Sequence, residues 1–268
     1  MKQIVFALMS AAAFCSGASA ADLPARKAPA PHVAPLFAWT GSYVGVNAGY
    51  AWGDDRTLEN VDVNSTVIPG FSRSLDGFDF LRNSNGASFT GGAQIGYNYQ
   101  IGSIVLGLEA DINYVGLKTT YAAGGDRFGL YHDVLSAENH VEWFGTVRPR
   151  LGFVATDRLM IFATGGLAYG QVKTQAGIND YDYATGARLA GINGSESDTR
   201  TGYTVGGGAE YALTDNLTIK CEYAYVDLGS RSHRFYDNDA SYPGAGLFVT
   251  AKDQANFHLV RAGVNYKF

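Results

Sequence analysis

The chain has 268 residues, 46% of them hydrophobic and 17% charged, with 34 Gly, 17 Tyr and 15 Phe against 7 Pro. After residue 20 no run stays apolar for the roughly twenty residues that cross a membrane as a helix, which excludes a helical membrane protein. A net charge of −5 offers no basic footprint, which excludes a nucleic-acid partner.

The start reads as an export signal over residues 1–20. Lys2 supplies a positive end, Ile4 to Cys15 an apolar segment, and Ala18 with Ala20 an A-x-A cleavage site. Phe14 is too large to precede a lipoprotein acceptor, so Cys15 is predicted to leave with the signal. Cys221 then has no disulfide partner in a compartment oxidising enough to allow one, and reads as an apolar filler on a strand. Residues 21–38, rich in Pro and Ala and without periodicity, read as a periplasmic linker. Residues 39–268 read as one membrane domain.

In that domain eight segments of roughly ten residues alternate between two faces, the length and period of strands that span a bilayer at a barrel's tilt. Tyr43 to Trp52 sets Val44, Val46, Ala48, Tyr50 and Trp52 against Gly45, Asn47, Gly49 and Ala51. Ser88 to Gln100 sets Phe89, Ala93, Ile95, Tyr97 and Tyr99 against Thr90, Gly92, Gln94, Gly96 and Asn98. Ile104 to Tyr114 sets Leu106, Leu108, Ala110, Ile112 and Tyr114 against Glu109, Asp111 and Asn113. Val141 to Phe153 sets Trp143, Val147, Leu151 and Phe153 against Thr146, Arg148 and Arg150, with Pro149 where a ladder donor is wanted, so a bulge or strand offset is expected there.

Leu159 to Tyr169 sets Leu159, Ile161, Ala163, Leu167 and Tyr169 against Thr164, Gly166 and Ala168. Thr201 to Leu213 sets Tyr203, Val205, Ala209 and Tyr211 against Thr204, Gly206, Gly208 and Glu210. Leu217 to Tyr225 sets Ile219, Cys221, Tyr223 and Tyr225 against Thr218, Lys220 and Glu222. The last segment sets Val260, Ala262, Val264, Tyr266 and Phe268 against Arg261, Gly263, Asn265 and Lys267. Its terminal Phe268, with Tyr266 and Val264, resembles the signal by which barrel-assembly machinery recognises its clients.

Short connections (101–103, 154–158, 214–216) alternate strictly with long ones (53–87, 115–140, 170–200, 226–255). An outer-membrane barrel pairs short periplasmic turns with long outer loops, whereas a soluble sandwich has no reason to sort them. On that path Trp39, Tyr97, Tyr99, Phe153, Tyr211, Tyr266 and Phe268 fall at the periplasmic end. Trp52, Phe89, Tyr114, Trp143, Tyr169, Tyr203 and Tyr225 fall at the outer end, completing two interfacial belts. The fold class is therefore all-β: an eight-stranded antiparallel up-and-down transmembrane β-barrel.

Inward positions carry Glu109, Asp111, Glu210 and Glu222 against Arg148, Arg150, Lys220 and Arg261. A bore this narrow admits such charges only when they pair, so a lumen closed by ion pairs is expected, with a narrow charged passage as the alternative. No H-E-x-x-H, C-x-x-C, G-x-S-x-G, P-loop or G-x-G-x-x-G occurs, so no catalytic, metal or cofactor site is expected. His132, His140, His233 and His258 scatter over loops and rim; with Tyr131 or Tyr236 they are the residues a metal or haem iron would need. Asp54-Asp55 and Asp237-Asn238-Asp239 lack the spacing of a calcium loop.

The sequence resembles the small outer-membrane β-barrel proteins of alphaproteobacteria, the porin-family or OmpA-like surface antigens. The matching pieces are Ala21-Asp-Leu-Pro, Trp39-Thr-Gly-Ser-Tyr-Val-Gly-Val-Asn-Ala-Gly-Tyr, Gly107-Leu-Glu-Ala-Asp, Trp143-Phe-Gly-Thr-Val-Arg-Pro-Arg-Leu-Gly, Ala163-Thr-Gly-Gly-Leu-Ala-Tyr-Gly, Glu222-Tyr-Ala-Tyr-Val-Asp-Leu-Gly and Gly263-Val-Asn-Tyr-Lys-Phe. The likeness covers nearly all strands and fails in the four long connections. It implies an abundant envelope-stabilising protein of the bacterial outer membrane, embedded in lipid and lipopolysaccharide, and some members of the group bind haemin. The readings carried forward are a structural and surface-interaction protein, a binder of haem or another host or small-molecule ligand through the loops, and a narrow porin-like channel.

Overall fold

In the computed structural model, which describes residues 37–53, 58–65, 72–74, 80–83, 86–127, 131–236 and 247–268, every regular element is a strand. In chain order they are β1 (Gly41–Gly53), β2 (Leu58–Ser65), β3 (Ser72–Ser74), β4 (Phe80–Asn83), β5 (Ala87–Ile101), β6 (Ile104–Arg127), β7 (Tyr131–Thr156), β8 (Leu159–Asp182), β9 (Arg188–Ala212), β10 (Leu217–Tyr236) and β11 (Leu247–Lys267). Hydrogen bonds run around β1-β5-β6-β7-β8-β9-β10-β11, and β11 returns to β1. The closing register runs from Tyr43↔Lys267 to Gly53↔Phe257, all antiparallel. The result is an eight-stranded up-and-down barrel, closed with no free edge as far as the outer aromatic belt.

The two faces fall where period-two alternation puts them. Val46 is 63% exposed on the outer surface, and its neighbours across the wall, Ala93 and Val264, point the same way. Asn47, next in the chain, is buried inside with Gln94 and Asn265. Water would not tolerate an outer wall of Val, Leu, Ile and Tyr of this extent, and lipid favours it. Cys221 stands on this outer face as a free thiol.

At one end the connections are tight. Ile101 pairs with Ile104 across Gly102-Ser103, and Gly102 takes φ +60, the left-handed geometry such a turn needs. At the other end the connections expected as loops are mostly strand. β6 and β7 pair outward to Arg127↔Tyr131, β8 and β9 to Tyr181↔Arg188, and β10 and β11 to Tyr236↔Phe248. The 26 residues of β7 extend about 85 Å along the strand, far more than the ten or so residues that cross the bilayer. Polar loop-like composition did not reveal this, because a strand with water on both faces needs no apolar face. The β8–β9 tip closes on Asp182, whose carboxylate accepts from Thr185 N at 2.8 Å and Thr185 Oγ1 at 2.7 Å. These bonds hold the Asp182 carboxyl below the usual carboxylate range. Between β1 and β5, β2 adds to the outer part of β11, β3 to β2, and β4 to the outer part of β6.

Two local expectations are corrected. Pro149 causes neither bulge nor offset: it pairs with Leu108 in unbroken register, and the β7–β8 ladder resumes from Val147↔Leu167 to Arg150↔Thr164 with its register unchanged. The interruption faces Gly165-Gly166, where the strands crowd. A Cβ on Gly166 would stand 2.9 Å from the Arg148 Cα and closer still to the Val147 carbonyl. Since both are backbone atoms, Gly166→Val is expected to destabilise the barrel by about 1–3 kcal/mol in urea unfolding. Trp39, expected in the outward periplasmic belt, turns inward instead and is 1% exposed.

Outside the outer belt the wall parts. β10 pairs with β9 only from Thr218↔Ala212 to Asp227↔Tyr203. There the Leu228-Gly229 bulge, with Gly229 at φ +76, shifts β10 on β11. Beyond it, β9 stays with β8 and β10 with β11.

Candidate functional site

The lumen is layered. At the short-turn end Phe37, Trp39, Val105, Met160 and Ala212 form an apolar floor. Phe37, from the segment read as a linker, meets Trp39 edge-on with ring centres 4.8 Å apart. The Trp39 amide donates to Gln100 Oε1 at 2.8 Å, and Lys267 Nζ reaches the Ala38 carbonyl, so residues 37–39 are folded into the mouth. Toward the outer end a second, larger layer holds Phe144 against Phe257, with Val115, Leu117, Val141, Val226, Leu228 and Leu259 around them.

Between these layers lie all eight charges expected to face inward, none more than 5% exposed. Arg148 sits at the centre. Its Nη2 donates to Glu109 Oε1 at 2.7 Å and to Asp111 Oδ2 at 2.9 Å, and its Nη1 donates to Glu222 and to Thr164 Oγ1 at 3.2 Å. Arg261 Nε donates to Glu222 Oε2 at 3.0 Å and Arg261 Nη2 to Asp111 Oδ2 at 3.0 Å. Lys220 Nζ lies 2.9 Å from both Glu109 oxygens and 3.6 Å from Glu222 Oε2. Arg150 pairs separately with Glu210, which also accepts from Thr218 Oγ1 at 2.5 Å and Asn265 Nδ2 at 2.8 Å.

Tyr43 joins the two groups. Its hydroxyl donates to Glu109 Oε2 at 2.7 Å and accepts from Arg150 Nη1 at 3.5 Å. The Arg150 guanidinium also lies over the Phe162 ring, 3.8 Å from its centre. Asn47, Gln94 and Asn265 continue the network to β1 and β5, with Asn47 Nδ2 on Gln94 Oε1 at 3.0 Å and Gln94 Nε2 on Asn265 Oδ1 at 2.5 Å. Every strand of the ring contributes a side chain. Acids and bases balance, as desolvated charges require.

Tyr43 and both apolar layers went unread in the sequence, although parity marks them. Tyr43 shares a face with Asn47, Val105 with Glu109, and Phe257 and Leu259 with Arg261. Glycines opposite the large side chains make the room: Gly208 faces Glu222 and Gly49 faces Arg261 across the ladder.

Of the histidines and tyrosines considered as ligands, His258, His233 and Tyr236 stand apart from one another among the described residues. His258 lies in the outer aromatic belt, stacked on Trp52 and accepting or donating one bond to the Tyr223 hydroxyl at 2.7 Å. His233 is buried on the opposite face, and Tyr236 packs on Phe248. Ala18, Ala20, Asp54-Asp55 and Asp237–Asp239 lie outside the described residues.

A closed antiparallel ring, apolar outside and charged inside, defines a transmembrane β-barrel. The family model described as "Outer membrane protein beta-barrel domain" matches residues 6–268, and the chain belongs to that family. It is 40% identical over 275 residues to the 31 kDa outer-membrane immunogenic protein of Brucella melitensis, covering 100% of both chains. It is 30% identical over 279 residues to the 22 kDa outer membrane protein of Rhizobium leguminosarum bv. viciae, again covering 100% of both. Among solved structures, OprG from Pseudomonas aeruginosa aligns with a TM-score of 0.45 and 13% identity over 85% of this chain and 96% of that one. The chain is thus an alphaproteobacterial-type outer-membrane barrel of the surface-antigen group, and the bacterial outer membrane is its place.

Proposed function

We propose that the protein is a closed structural barrel of the outer membrane. In this reading it stabilises the envelope and presents its outer hairpins for surface interaction. The observation that carries this is the lumen, where balanced, mutually bonded charges lie between two apolar layers. A solute path would have to break desolvated ion pairs and also wet both layers, and each of these is costly. The immunogenic relatives support exposure of the hairpins at the cell surface. In the same reading residues 1–20 direct export and are cleaved after Ala20. Residues 21–38 are the periplasmic segment, and Phe268, Tyr266 and Val264 are read by the barrel-assembly machinery. No catalytic role is assigned.

Purified protein in planar bilayers tests the closed lumen. The expected result is no steady porin-sized conductance in the native chain. A steady conductance that survives repurification overturns the reading in favour of a narrow channel.

A further inference from the structure

Where β9 and β10 part, side chains rather than backbone cross the gap. His233 on β10 lies with Nδ1 2.7 Å from Glu196 Oε2 on β9, and Arg231 Nη1 lies 3.5 Å from Asp198 Oδ2. Glu196 and Asp198 are on β9 outward of Tyr203, so this gap opens beyond the outer aromatic belt.

His233 is 3% exposed, unusual for a histidine on an extramembrane strand. Its ring lies parallel to Phe235 (6.2 Å, 15°), and Arg200 Nη2 faces its Nε2 at 2.9 Å. The ring is therefore held with Nδ1 turned to the carboxylates. One ligand atom from each of Glu196, Asp198 and His233 lies within 4.8 Å of the others. One imidazole nitrogen with two carboxylates is the donor set of a borderline divalent cation rather than of calcium or magnesium, which prefer oxygen alone.

We propose that Glu196, Asp198 and His233 bind a divalent cation of the zinc class that clips β9 to β10 across this gap. The existing contacts can yield to it. Arg231 is half exposed and its pairing with Asp198 is long, so its release to solvent costs little. With Arg200 donating to Nε2, the ring proton sits on Nδ1 toward Glu196. A cation on Nδ1 moves that proton to Nε2, so Arg200, which cannot accept it, turns from the ring and keeps Thr174 Oγ1, now 3.2 Å away, as its acceptor. The site is outside the membrane and does not depend on the lumen being closed.

The test uses the whole protein folded in detergent micelles, with heat-modified gel mobility confirming that each variant is a barrel. Calorimetric titration with zinc chloride is expected to show one saturable site in the native chain. His233→Ala and Glu196→Gln are expected to bind at least about tenfold more weakly, while His258→Ala binds as the native chain does. Amide exchange over Ser230–Phe235 is expected to slow when zinc is added. No saturable uptake by the native chain, or equal uptake by His233→Ala, overturns the site. Equal saturation by magnesium overturns the cation class, and unchanged exchange overturns the clip.

Discussion

Arg148→Ala is expected to destabilise the barrel by about 3–5 kcal/mol, the cost of leaving desolvated carboxylates with too few cations. Arg148 bonds Glu109, Asp111 and Glu222, whereas Arg261 bonds Asp111 and Glu222 and stands 3.8 Å from Glu109. Lys220 and Arg261 still reach those acids after its removal, but three carboxylates then share two cations where the native chain supplies three. Urea unfolding of the refolded protein measures the loss. The double variant Arg148→Met with Glu222→Gln is expected to recover part of it, because one negative charge leaves with the positive one and the methionine fills the space. A loss under 1 kcal/mol, or no recovery in the double variant, would show that these charges are hydrated and the lumen wet.

Val46→Arg is expected to cost about 2–4 kcal/mol in lipid vesicles, the penalty for arginine at the bilayer midplane on a barrel's outer face. Val46 lies midway along β1, flanked by Val44 and Ala48 in its own strand. Tyr266→Arg, on the same face near the short-turn end, is expected to cost at most about 1 kcal/mol, because the side chain reaches the interface. A depth-dependent penalty requires lipid against this face. Were the two penalties alike and small, the outer wall would be facing water.

The ring of strands was legible because side-chain parity is local. Whether Val264 and Tyr266 face away from Arg261 and Asn265 depends only on their positions along an extended chain. The inward charges were legible for the same reason, as were the tight turns at Gly102 and around Asp215. Less accessible was anything depending on which strands become neighbours. Trp39 reads as an interfacial aromatic until the floor formed by Val105, Met160 and Ala212 exists to receive it. Pro149 reads as a source of a bulge or offset until Gly165-Gly166 is placed opposite, where the ladder breaks and resumes in the same register.

By itself the sequence determined the class, the membrane-facing surface, the strand count and the identity of the charges inside, since each follows from period two, segment length and the alternation of short and long connections. Only closure of the barrel decided the rest. It set Arg148 among three acids and Arg150 beside one, joined the two groups through Tyr43, stacked apolar layers above and below them, and extended the hairpins beyond the membrane. The physical reason is that pairing partners in a closed sheet are fixed by register and curvature across strands remote in sequence, and no single segment carries that information.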